Sequence, residues 1–276
     1  RAAAWAKDEL TKMGLVNAQL EPWGDFGKGW QQEKCYVAMT APYYQSFIAV
    51  PRAWTGSTPG KKSIKGEVIL IKAKDTVELL KYTGQLKGKI VMQWSTATLK
   101  PSFEADGNRF ADSSLEKMAN AKLQPPPAQG QGQGRPQGPG GGAFSNQRRM
   151  TEMINAEQPA LILVMNQRGT DGTIFVSSGG PYAKDAAIAP ASVALSSDDF
   201  LRLQRMLEAG TAVELEADVK TSFFTDDIKG YNVVAEIPGT DPVLKDELVM
   251  LGGHLDSWHG ATGATDNAAG CSVMME

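Results

Sequence analysis

Positive charge is what this sequence most plainly lacks. It carries 28 Lys and Arg against 31 Asp and Glu, a formal net charge of −3, with a pI near 5.6. A nucleic-acid surface needs a basic stripe, and this balance argues against one. Long apolar runs are missing as well: the longest are Ala160 to Met165 and Leu248 to Leu251. A bilayer span takes roughly 20 such residues, so no membrane span is expected. Cysteine is scarce, with only Cys35 and Cys271, far apart in sequence. One bridge between them is conceivable, but two unpaired, buried thiols is the favoured reading. Finally, the chain opens at Arg1 without Met or leader, and closes at Glu276 inside a helical-looking run with no stop signal. Both ends read as cut, and any targeting peptide is expected upstream.

What is present is enough to fold. A 42% hydrophobic share over 276 residues can furnish the core of one large domain or two ordinary ones. Ala2 to Met13 reads as a helix ended by Gly14. Extended runs follow at Tyr36 to Thr40 and Ser46 to Val50. Glu67 to Lys72 is a continuous apolar run, expected as a buried strand, and Gly88 to Trp94 looks like another. Helices are expected over Thr76 to Tyr82 and Phe110 to Leu123. Then the composition breaks: in Gln124 to Ala143 all but three residues are Pro, Gly or Gln. Such a stretch has nothing to bury, so it is expected as a disordered inserted loop.

Order is expected again from Ser145, which can cap a helix to Glu157. Buried strands are expected at Ala160 to Met165, Thr173 to Ser178 and Ala191 to Ser196. Ser196 followed by Asp199 makes a capping box for a helix from Asp198 to Ala209, stopped by Gly210. Thr211 to Thr221 alternates, with Val213, Leu215, Ala217 and Val219 on one face. Asn232 to Ile237 alternates too. Glu247 to Leu251 reads as a short buried strand running into Gly252-Gly253-His254.

That last junction carries the chemistry. Two glycines at a strand's carboxyl end leave room for a ligand, at the place where open α/β sheets build sites. His254 offers an imidazole, the commonest zinc ligand. Asp256, two residues on, points to the same side of an extended chain and can accept the ring's other N–H, fixing its tautomer. Asp266 follows a small-residue turn and opens a helix; its carboxylate can cap backbone N–H groups or reach two cations. His259 lies in the same loop and is read as a neighbour of the site, not a ligand.

Gly252-Gly-His-Leu-Asp-Ser-Trp258 and Gly263-Ala-Thr-Asp-Asn-Ala-Ala-Gly270 resemble the di-zinc exopeptidases of metallopeptidase clan MH, of the carboxypeptidase Q (plasma glutamate carboxypeptidase) type. Asn232-Val-Val-Ala-Glu-Ile-Pro-Gly239 resembles the lead-in to that motif, and Gly88-Lys-Ile-Val-Met92 resembles part of a protease-associated domain. The resemblance implies an α/β fold: the start of a mixed-sheet zinc-exopeptidase domain with an inserted β-rich α/β protease-associated domain. The expected parts are 1–50 from the peptidase domain, 51–222 from the insert, and 223–276 from the start of the zinc core. It implies two zinc ions per intact site, with His254 binding one, Asp266 bridging both and Asp256 orienting His254. A cis peptide at Asp266–Asn267 is implied as well. The family's general base, a Glu-Glu pair and further ligands lie beyond the motifs present here, so the chain by itself is expected to be inactive.

The implied reaction is hydrolysis of peptide bonds at chain ends or in short peptides by a metal-activated water, with aminopeptidase and carboxypeptidase both open. A peptide substrate, a possible homodimer and a periplasmic or extracellular location follow from the same resemblance. Two rivals stand beside it: a non-catalytic receptor or binding module on the same fold, and a zinc deacylase or cyclase.

Overall fold

The computed structural model describes residues 2–99, 103, 105, 107–121, 141–166, 169 and 172–276, with the backbone alone at 141–145. The chain begins with helix α1 (Ala2–Lys12) and strand β1 (Val16–Asp25), followed by β2 (Gly29–Ala41), β3 (Gln45–Ser46) and β4 (Ala49–Pro51). Next come β5 (Ile64–Ile71), α2 (Thr76–Leu79), β6 (Ile90–Gln93), α3 (Asp112–Ala119) and α4 (Gly141–Ala156). The second half holds β7 (Leu161–Met165), β8 (Ser192–Leu195), α5 (Ser197–Glu208), β9 (Glu214–Phe224), β10 (Lys229–Glu236) and α6 (Gly270–Met275).

Eight of the strands form one mixed sheet in the order β3-β2-β9-β5-β6-β7-β8-β4. Its centre is parallel: Val68 lies opposite Ile90, Ile90 opposite Leu161 and Ile162 opposite Ser192. These strands are short, unbroken apolar runs because helices cover both of their faces. Alternation divides the side chains between two cores. Ile90, Met92, Leu161, Leu163, Val193 and Leu195 pack with Phe200 and Leu203 of α5. Ile71 and Val91 face the other way, onto Leu79 of α2 and Met150 and Ile154 of α4. Both Phe200 and Leu203 are fully buried, each worth about 2–3 kcal/mol of apolar burial. Antiparallel strands finish the edges: β9 on β5, β2 on β9 and β4 on β8. The alternation expected in β9 holds, with Val213, Leu215, Ala217 and Val219 all buried.

The sheet draws strands from residues 29–51 as well as 64–224, so the unit expected at 51–222 shares its sheet with the segment before it. Beside it, β1 and β10 form a separate two-stranded antiparallel pair against which α1 packs.

Several expectations shift. The run at Ser46 to Val50 is two strands: Phe47 turns into the core, Ile48 turns out, and the chain passes from pairing with β2 to pairing with β8 while Ala49 stays within reach of Cys35 of β2, so the sheet curls to bring its two edges together. Thr173 to Ser178 is no strand: its ladder pairing is limited to an isolated bridge, Ala53 to Ser178, and side chains make other contacts, Asn166 Nδ2 donating to the Thr173 carbonyl and Arg52 to the Ser178 carbonyl. Of the capping box, the forward half forms, with Ser196 Oγ accepting from the Asp199 N–H. The Asp199 carboxylate is instead taken by the N–H of Ile48 and by Arg202. Ser145 lies inside α4, which starts at Gly141 and so takes in the end of the expected loop; residues 124–140 of that loop lie outside the described residues. The thiols are unpaired as expected, but both cysteines are half-buried, not buried. Among the described residues no helix is long and apolar enough to cross a membrane.

Candidate metal centre

The segment leading into the site differs from its expected form. Glu247 to Leu251 is irregular, and Leu248, Val249, Met250 and Leu251 are 82%, 86%, 81% and 73% exposed. Its pattern is that of a buried strand, but among the described residues no strand lies alongside to take its backbone hydrogen bonds or cover its side chains.

Immediately after it the chain organises. The Nε2 atom of His254 lies 3.1 Å from Oδ1 of Asp266. On the other edge of the ring, Nδ1 lies 3.1 Å from the carbonyl oxygen of Asp256 and 3.3 Å from its Oδ1. Both edges of the ring thus face acceptors, the Asp256 carbonyl at Nδ1 and the Asp266 carboxylate at Nε2; with a cation held between Nε2 and Asp266, the hydrogen of the neutral ring would sit on Nδ1. Asp256 therefore touches His254 first through its backbone and second through its carboxylate. All three side chains are open to solvent.

Small residues make this approach possible. A Cβ on Gly253 would come within 3.3 Å of Asn267 Nδ2, Cys271 N and Cys271 Sγ, and one on Gly270 would meet Asn267 Oδ1 at 2.2 Å. Gly263 has φ +72°, the left-handed turn that brings the chain back. Asp266 and Asn267 are non-helical and joined by a cis peptide, ahead of the regular helix α6. The expected helix start thus comes at Gly270, a turn later than Asp266. Asn267 and Cys271 both donate to the carbonyl oxygen of His254, at 3.3 and 3.1 Å, clamping the two segments together. Sequence reasoning missed this pair. The adjacency of Asn267 to Asp266 and the small-residue spacing to Cys271 were the available signals.

His259 has a distinct job. Its Nε2 lies 2.6 Å from the Pro51 carbonyl, at the end of β4, and its ring meets Trp30 edge-on at 4.8 Å between centroids. Burial pushes its pKa below the usual 6.5, with the Pro51 bond pulling weakly upward. The next residue, Gly260, packs so closely on Val176 that a Cβ would lie 2.7 Å from Cγ1. The loop after the His254 strand end is therefore docked on the eight-stranded sheet unit.

As metal donors, the side chains of His254 and Asp266 suit zinc: a neutral imidazole nitrogen and a carboxylate converge on one point. Among the described residues no cluster of three or more His, Cys, Asp or Glu is placed to hold an ion. The pair therefore fits part of a metal site.

The sequence model of Peptidase family M28 matches residues 232–276. That segment is similar to family M28. It holds His254, Asp256, Asp266, Asn267 and Cys271. Similarity extends beyond it. Carboxypeptidase Q of Mus musculus is 34% identical over 84 residues, 30% of this chain and 17% of that protein. A probable leucine aminopeptidase 2 of Aspergillus oryzae is 35% identical over 119 residues, 42% of this chain and 21% of that protein. Among solved structures, a Peptidase M28 precursor from Shewanella amazonensis superposes with TM-score 0.58 at 19% identity, over 99% of this chain and 52% of that one. An aminopeptidase from Aneurinibacillus sp. strain AM-1 gives 0.52 at 14%, over 99% and 51%. The mixed α/β fold is thus that of M28 structures, and the chain spans about half their length.

Proposed function

We propose that the whole protein is a zinc-dependent exopeptidase, to which this chain contributes His254 as ligand of one zinc ion and Asp266 as the carboxylate bridging two. The observation that carries the reading is the 3.1 Å approach of His254 Nε2 to Asp266 Oδ1, with Nδ1 already engaged by Asp256. Bound there, zinc would supply Lewis acidity toward a peptide carbonyl and lower the pKa of a water. The chain's own part is positional. With zinc on Nε2, the Asp256 carbonyl would take the Nδ1 hydrogen of His254, and the Asn267 and Cys271 donors hold the His254 backbone. The docked loop at Trp258 to Gly260 keeps this arm against the sheet. Relatives named for both aminopeptidase and carboxypeptidase activity support an exopeptidase and leave both ends of a peptide as candidates.

The test is elemental analysis of the whole protein together with hydrolysis of short peptides bearing free or blocked ends. Two zinc ions per chain are expected, and cleavage that requires a free terminus. Substituting His254→Ala should abolish both; a variant that hydrolyses peptides at the parent rate overturns the assignment.

A further inference from the structure

Between α4, the parallel strands and the 172–180 loop lies a cavity of about 520 Å³, with Trp258 of the metal loop on its wall. That volume is in the range of sites for small organic molecules. Its lining is mixed: Trp94 and Trp258 offer apolar surface, and Arg52, Asn155 and Ser192 offer polar groups. Of these, Arg52 has donors to spare. Arg52 donates from Nε to Ser177 Oγ at 3.4 Å and from Nη2 to the Ser178 carbonyl at 2.6 Å. Among the described residues it has no acidic partner, although burial already disfavours its charge. A guanidinium has five N–H donors, and two bonds leave three available. The Ser192 hydroxyl is buried and has no hydrogen-bond partner. The Ser192 hydroxyl is closed off from the open volume, so the donors left to an anion there are those of Arg52.

We propose that this cavity binds a compact aromatic carboxylate, with its anionic group on Arg52 and its ring between Trp94 and Trp258. A planar fork of donors fits a carboxylate better than any other common anionic group of this size except phosphate. The two indoles supply the apolar contact that an inorganic anion would not use. The site adjoins the metal loop's docking contact, since Val176 and Trp258 both line it, but it does not depend on the peptidase reading: absence of zinc would sink that reading and leave this one intact.

The experiment is calorimetric titration of the whole protein with N-acetyl-L-phenylalanine and with its neutral amide, N-acetyl-L-phenylalaninamide. The acid should bind at least about tenfold more tightly than the amide, the value of one charge-assisted hydrogen bond. Arg52→Gln should bring the acid down to the level of the amide, and Arg52→Lys should keep part of the difference. Asn155→Asp leaves the Arg52 bonds to Ser177 and Ser178 in place and sets a negative charge in the cavity; it should weaken the acid several-fold more than the amide. That variant decides the matter if Arg52→Gln does not fold. Equal binding of acid and amide overturns the proposal. So does an affinity for the acid untouched by Arg52→Gln, as a carboxylate resting on zinc at His254 would show, and so does no binding at millimolar concentration.

Discussion

The imidazole of His259 is bonded to the carbonyl of Pro51 at 2.6 Å, which ties the loop leaving His254 to the last residue of β4. Because burial lowers its pKa, the folded protein holds His259 neutral where the unfolded chain would take up a proton. The stability that depends on burying this ring neutral is complete above pH ~6.5 and is lost as pH falls from there toward the lowered folded value. The chain has two histidines, so His254→Ala leaves a single imidazole signal. Its NMR titration should have a midpoint below 6.5, and a midpoint above that value would contradict the buried geometry. His259→Phe should keep the packing on Trp30 and flatten the acid-side loss of melting temperature.

The glycines around the site are not equivalent. At Gly270 a methyl group would collide with Asn267 Oδ1 at 2.2 Å, and the same side chain holds the His254 carbonyl. Gly270→Ala is expected to cost about 1–3 kcal/mol through forced displacement and to weaken zinc binding. Gly252→Ala meets nothing within 4 Å and should leave both unchanged. Thermal melts and zinc titrations on the two variants make the comparison direct.

Asp256 should separate its two contacts when substituted. Asp256→Ala removes the carboxylate 3.3 Å from Nδ1 but keeps the carbonyl at 3.1 Å. Loss of such a supporting partner typically costs 10–100-fold in metal affinity. Here the surviving carbonyl bond should hold the loss to about tenfold or less. Asp266→Ala, which removes a donor facing Nε2, should cost far more. Zinc competition with a chelator of known affinity ranks the two.

Cys35 should be a poor nucleophile. Burial pushes its thiol up to about 11, so at neutral pH almost none of it is thiolate, the reactive form. Alkylation by iodoacetamide should leave Cys35 unmodified at pH 7.5 in the folded protein and reach it on denaturation, as peptide mass spectrometry would show.

Much of this architecture was legible because its strands are short apolar runs between turn signals. Ile90 to Gln93, Leu161 to Met165 and Ser192 to Leu195 all fall inside segments expected from sequence. The strand at Val16 to Asp25 was not visible. It lies against β10 with nearly every residue exposed, so neither face carries an apolar alternation to read. Glu247 to Leu251 failed in the opposite sense: its pattern is that of a strand, but strand formation needs a neighbour, which composition does not report. At the site, His254, Asp256 and Asp266 were singled out by spacing. What escaped was the role of His259, because its partners Pro51 and Trp30 are some two hundred residues away along the chain and only tertiary structure brings them together.

Every strand of the eight-stranded sheet lies between Gly29 and Phe224, ahead of His254. During synthesis that platform can close before the arm bearing His254 leaves the ribosome. His259 and Gly260 would then emerge to find their docking surface already built, so the arm is set in place by a finished scaffold and takes no part in assembling it.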